Sequence, residues 1–117
     1  MINPKLIPSD NYSTDEQFIG YYFNEKHYRK IINVGNLPNN STINYPTSLF
    51  DASNKFITKI SCIGASSSGE YITIPYYSAV SYTNILINAD HKLSISTNSD
   101  RSRFVGYVLI EYTKTTD

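Results

Sequence analysis

Tryptophan is absent from this sequence, cysteine occurs once, and glycine and proline occur five times each in 117 residues. The lone Cys62 excludes an intramolecular disulfide and any multi-cysteine zinc site. Neither sign of charge is in excess: ten basic residues stand against ten acidic ones, and the pI is about 6.7. That balance leaves no electrostatic footprint for nucleic acid and no polybasic patch for a membrane. No apolar run approaches the roughly 18–20 residues that span a bilayer. Residues 1–8 hold neither a long apolar stretch nor a cleavage signature, so the chain reads as a soluble protein made in the cytosol without a secretion signal. Internal repeats, heptads and low-complexity linkers are missing too. The size suits one domain, able to bury roughly two-thirds of its unfolded surface.

The residue patterns that carry chemistry are equally scarce. There is no phosphate-cradling glycine loop, no nucleophile elbow and no run of clustered oxygen donors for calcium. His27 and His91 each fall at the edge of an expected turn, where a solvated histidine is the common case. Most of the acids lie in expected turns as well, where aspartate suits the local backbone. Nothing in the spacing pairs two carboxylates across a cleft, as glycosidase chemistry requires. The expectation is a non-enzymatic chain with no catalytic residue, no metal site and no cofactor.

What the sequence has in quantity is tyrosine, eleven of them, with five phenylalanines. Aromatic and β-branched residues favour a pleated, half-buried surface, and no stretch has helical periodicity. Turn residues recur about every ten positions, the spacing of sandwiches and barrels. The predicted strands cover 16–23 and 27–34 as a hairpin turning at Asn24-Glu25-Lys26, then 42–45, 55–65, 71–74 with an irregular continuation at 76–80, 82–88 and 92–97 as a second hairpin, and a final strand after a turn at 98–101. Residues 48–50 suit a single helical turn. Cys62 sits within an apolar strand and is expected to be a buried thiol. The fold class is all-β, an antiparallel, jelly-roll-like β-sandwich. Residues 1–11 form an arm, either disordered or docking onto a larger assembly, and residues 12–117 form the domain.

Alternation along the final strand puts Phe104, Gly106, Val108, Ile110 and Tyr112 on one face and Val105, Tyr107, Leu109 and Glu111 on the other. Both faces are apolar in the middle, and such a strand is expected to be buried on both sides. One side would meet the core. The other, with Val105, Tyr107 and Leu109, would meet a covering loop or a neighbouring subunit. Tyr76, Tyr77 and Tyr82 crowd around Pro75. Their rings either fill a core that lacks tryptophan, cover a subunit seam, or stack on the faces of a glycan.

Two ends of the chain carry a further signal. Tyr12-Ser13-Thr14-Asp15-Glu16-Gln17-Phe18-Ile19-Gly20, then Tyr28-Arg29-Lys30, and finally Asp100-Arg101-Ser102-Arg103 running through Tyr107-Val108-Leu109-Ile110-Glu111-Tyr112-Thr113-Lys114-Thr115-Thr116-Asp117 resemble the small β domain that closes phage tail-fibre and other virion fibre proteins. The resemblance implies a sandwich assembled as a homotrimer, with these segments as framework. It suggests charge pairing of Asp15 and Glu16 with Arg29 and Lys30 across the sheet. Relatives often carry a tryptophan and an Asp-Gly-Lys turn where Tyr22-Phe23-Asn24-Glu25-Lys26 stands, and a His-Gly where Tyr45-Pro46 stands.

On this reading the chain is a virion structural protein without enzymatic activity, made in the host cytoplasm. It would serve as a fibre tip, a short head fibre, or a decoration protein on capsid or tail. Its partners would be its own copies, other virion proteins met through the arm or trimer base, and host-surface glycan. Many weak sites on a particle would give avidity. The competing expectation is a monomeric carbohydrate-binding module with an aromatic platform. A small hydrolase is the third.

Overall fold

β-branched and aromatic residues separated by short polar turns form nine strands in a computed structural model that describes residues 13–115. They are β1 (Gln17–Tyr22), β2 (Glu25–Asn36), β3 (Thr42–Asn44), β4 (Lys55–Ser66), β5 (Tyr71–Ile74), β6 (Tyr76–Tyr77), β7 (Tyr82–Ile87), β8 (Leu93–Thr97) and β9 (Phe104–Lys114). No helix occurs among the described residues. The arm at 1–11 lies outside them, as do residues 12, 116 and 117. The fold is all-β: a five-stranded sheet in the order β1-β2-β9-β4-β5 and a four-stranded sheet in the order β3-β8-β7-β6. Every pairing is antiparallel.

The final strand is the centre of the larger sheet, bonded to β2 along one edge and to β4 along the other. Its even-numbered face is the core face. Phe104, Val108, Ile110 and Tyr112 are buried there. They meet Ile32, Cys62, Ile72 and Ile74 of their own sheet and Ile85, Leu93 and Ile95 of the other. In the smaller sheet Ile43, Ile95 and Ile85 lie in one row across three strands. Between the sheets sit Leu37, Tyr45, Phe50 and Ala52, which come from connections rather than from strands.

Leu37 is admitted to this position by glycine. Gly35, Gly106 and Gly64 are partners across β2, β9 and β4. A Cβ on Gly106 would lie 2.6 Å from Leu37 Cδ2 and 2.8 Å from Val34 Cγ2. One on Gly64 would lie 2.8 Å from Ile72 Cγ2. Gly106 and Gly64 make the recess that holds Leu37, whose N–H donates to the Phe104 carbonyl at 2.9 Å.

Several local expectations shift. The first hairpin turns at Phe23 and Asn24, with φ of +49° and +67°, and Glu25 and Lys26 already belong to β2. Two consecutive left-handed residues suit the right-handed twist of a two-residue hairpin, and the turn adopts them although neither residue is glycine. The single helical turn expected at 48–50 is a hydrogen-bonded turn that begins just before it, in which the Pro46 carbonyl accepts from the Leu49 N–H at 2.9 Å and from the Phe50 N–H at 3.4 Å. The final strand begins at Phe104, after an Asx turn in which the Ser102 N–H donates to Asp100 Oδ1.

Burial of the final strand on both sides is met on one side only. Tyr107 is 43% exposed, and Val105 and Leu109 are half-buried. The smaller sheet covers one face of the larger one, and among the described residues no strand lies over the other face.

Gly106→Ala should destabilise the fold by roughly 1–3 kcal/mol, the cost of overpacking a filled core. Thermal unfolding checks this, and an unchanged midpoint would refute the account of the Leu37 recess.

Candidate functional site

The outer face of the five-stranded sheet is built in rows by the register. Gln17, Arg29, Glu111 and Lys59 form one polar row across β1, β2, β9 and β4. Next to it Ile31, Leu109 and Ser61 align, and beyond them Asn33, Tyr107, Ile63 and Thr73. Val105 follows, beside Ala65. An apolar cleft of about 310 Å³ lies among Ile31, Ile63, Tyr107 and Leu109. Ile63 is 50% exposed. Val105, Tyr107 and Leu109, the residues expected at a subunit contact, therefore share one continuous surface. Ile31 and Ile63 belong to it as well. Sequence reasoning missed them because adjacency across strands depends on the register, which alternation within one strand does not reveal.

The outer face of the four-stranded sheet is different in chemistry. Thr42, Ser96 and Asn84 form one row and Asn44, Ser94 and Leu86 the next. At its end Tyr77 pairs with Tyr82 across the strands, so these two rings share this face. Tyr76 pairs instead with Thr83 and so belongs to the opposite face. There the Arg101 guanidinium sits 5.1 Å from the Tyr76 ring centre, while its Nε donates to Thr83 Oγ1 at 3.0 Å. Thr83 is fully buried and its hydroxyl meets that of Thr97 at 3.0 Å. The three tyrosines expected to act together are thus divided, because side chains alternate along a strand. Tyr77 and Tyr82 are surface residues and Tyr76 caps a buried hydroxyl network.

The three segments that resemble the virion-fibre domain lie side by side as β1, β2 and β9. Glu16 does not pair with Arg29 or Lys30 as expected. Its carboxylate accepts from the Tyr112 hydroxyl at 2.5 Å and from Lys114 Nζ at 2.8 Å. Tyr112 is nearly buried and stacks on Tyr28, its register partner, at 6.1 Å between ring centres. Lys114 Nζ lies 4.5 Å from the Tyr28 ring centre. Partial burial works against the charged form of Glu16. The hydrogen bonds from Lys114 and Tyr112 and the charges of Lys114 and Lys55 outweigh it, so its pKa falls below the ordinary 4.5. Burial raises the Tyr112 pKa, and the bond to Glu16 raises it further.

The remaining reactive groups are occupied structurally. His27 Nε2 meets Thr58 Oγ1 at 2.6 Å. His91 stands in the β7–β8 turn with φ of +63°. Cys62 is buried as expected, and burial pushes its thiol up to about 12, which suppresses the reactive thiolate. Among the described residues no three of His, Cys, Asp or Glu gather in a way that would hold a metal ion. No protein-family model, no curated protein and no solved structure matches the chain.

A carboxylate whose folded pKa is depressed adds stability above its unfolded pKa and loses it as pH falls through the folded one. Glu16→Gln should therefore destabilise the protein by roughly 1 kcal/mol near neutral pH, allowing for partial solvent screening of the lysine pair. The difference should shrink as acidification carries the pH below 4.5 and through the lowered folded pKa. Urea unfolding of both proteins at neutral and at acid pH measures it, and an equal difference at both would remove Glu16 as the cause.

Proposed function

We propose that this protein is a non-enzymatic structural component of a phage virion. It would be a jelly-roll-like β-sandwich assembled as a homotrimer at an exposed position: fibre head or tip, or a capsid or tail decoration. There it contributes to adhesion at the host surface. The observation that carries the reading is the contrast between the two outer faces. One presents the hydroxyls and amides of Thr42, Asn44, Asn84, Ser94 and Ser96, with Leu86 and the Tyr77–Tyr82 pair toward its end. The other presents Ile31, Ile63, Tyr107 and Leu109 around an open cleft, a continuous apolar patch of the kind that marks protein contact. Sibling copies meeting through that face would bury it and leave the polar sheet outward. The virion context is supported by the resemblance at both ends of the chain, whose segments form three adjacent strands.

The nested pairing of β2 with β9 and of β3 with β8 supports the jelly-roll-like description. β4 and β5 depart from a regular jelly roll, since they form a hairpin within one sheet. A monomeric carbohydrate-binding module is the second reading, and the exposed Tyr77–Tyr82 pair favours it.

Light scattering on the purified protein should give about 40 kDa, three times the 13.3 kDa chain. Leu109→Glu should shift the mass toward the single chain while keeping the strand signal in circular dichroism. A wild-type monomer would overturn the trimer and leave the second reading in its place.

A further inference from the structure

The end of the β1–β2 hairpin carries an aromatic corner that neither the core nor the apolar sheet face uses. Phe18 pairs with Tyr28, and Tyr21 with Lys26, with a register shift between Phe18 and Gly20. In regular alternation Phe18 and Tyr21 would point to opposite faces. The extra residue of the bulge, with Gly20 at φ of +123°, turns both to the same side as Tyr28. Bulges of this kind recur beside functional sites because they re-aim a side chain. The ring of Phe18 stands edge-on to Tyr21 at 5.5 Å and 81°, and to Tyr28 at 6.1 Å and 67°. Tyr28 in turn stacks on Tyr112, which abuts Phe50 in the core at 5.7 Å. The corner is thus backed by rings running inward to the core. Tyr21 is nonetheless 69% exposed.

The space in this corner has two parts. A cleft of about 320 Å³ lies over Phe18, Tyr21 and Tyr28. A recess of about 210 Å³ adjoins it, shares Tyr21, Lys26 and Tyr28, and adds Asn24, Glu25 and Lys114. We propose that this corner is a saccharide-binding site for a neutral pyranose of a surface glycan, with the ring of Tyr21 as the stacking face. The inference rests on the adhesive role proposed above.

The chemistry selects that ligand. A pyranose presents an apolar C–H face ringed by hydroxyls. It needs an exposed aromatic face together with both donors and acceptors at the rim. Tyr21 supplies the face and Phe18 the perpendicular wall. The Asn24 amide donates and accepts, the Glu25 carboxylate accepts and the Lys26 ammonium donates. Glu25 and Lys26 cancel in charge, as do Glu16 and Lys114, which are ion-paired at 2.8 Å. The rim therefore offers no net attraction to an anionic polymer. A larger groove of about 540 Å³ is lined by Tyr22, Phe23 and Phe56. It belongs to the other side of the hairpin, where Tyr22 contacts His27 and Phe56 on the apolar sheet face. It lies on the same sheet face as the proposed subunit contact, separated from it by the polar row of Gln17, Arg29, Glu111 and Lys59, whereas the Phe18–Tyr21 corner faces the opposite way and stays open in an assembly.

The test uses the full chain on an array of defined neutral and acidic mono- to trisaccharides. Wild-type protein should be retained on at least one neutral glycan. Tyr21→Ala should weaken that binding roughly tenfold, the scale of one lost aromatic stack. Tyr21→Phe should keep it, and Tyr77→Ala should leave it unchanged. Tyr21 lies on the surface, so the unfolding temperature and assembled mass of these variants should match the wild type. Retention on no glycan overturns the site, as does undiminished binding by Tyr21→Ala or a loss that follows Tyr77→Ala instead. A wild-type chain that binds glycan as a monomer sinks the trimer and leaves the site standing. A trimer that ignores every glycan sinks the site alone.

Discussion

β9 is hydrogen-bonded along both edges, to β2 and to β4, over nearly its whole length. The rest of the structure hangs on that double pairing. Its buried face supplies Phe104, Val108, Ile110 and Tyr112 to the core. Its Gly106 and the neighbouring Gly64 of β4 make the Leu37 recess. Each ladder joins residues far apart in sequence, so closing them costs loop entropy that only the packed core can offset. A change that loosens β9 would loosen both neighbours together.

The two outer faces of the molecule differ for a reason that lies in the strands themselves. β8 alternates Leu93 and Ile95 with Ser94 and Ser96, and a strand of that kind needs only one partner layer. β9 is apolar on both sides over its middle, β2 and β4 add Ile31 and Ile63 on the outer side, and one partner layer leaves Ile63 and Tyr107 exposed and Ile31 and Leu109 half-buried. The polar row of Gln17, Arg29, Glu111 and Lys59 borders this patch toward the hairpin end.

At that end, aromatic contacts do the work that a larger core would do elsewhere. Rings connect Tyr21 through Phe18, Tyr28 and Tyr112 to Phe50. Glu16 ties the start of β1 to the end of β9 across 96 positions. A two-stranded ribbon alone is marginal in water, and this lattice of rings and charge-assisted hydrogen bonds steadies it. The exposed ring of Tyr21 is consequently held on a fixed support rather than on a free loop.

Period-two alternation, β-branched composition and turn residues by themselves determined the all-β class, most strand positions, the two faces of β9 and the burial of Cys62, because each depends on neighbours within a few residues. They also marked Val105, Tyr107 and Leu109 as an apolar flank. Only the tertiary structure decided that Ile31 and Ile63 extend that flank, that Glu16 meets Tyr112 and Lys114 instead of Arg29 and Lys30, and that Tyr76 takes the opposite face from Tyr77 and Tyr82. The bulge that brings Phe18 and Tyr21 together was likewise invisible beforehand. Strand order, register and a single inserted residue set which side chains share a surface. They are fixed by the closure of two sheets around one core, a balance over the whole chain that no local stretch encodes.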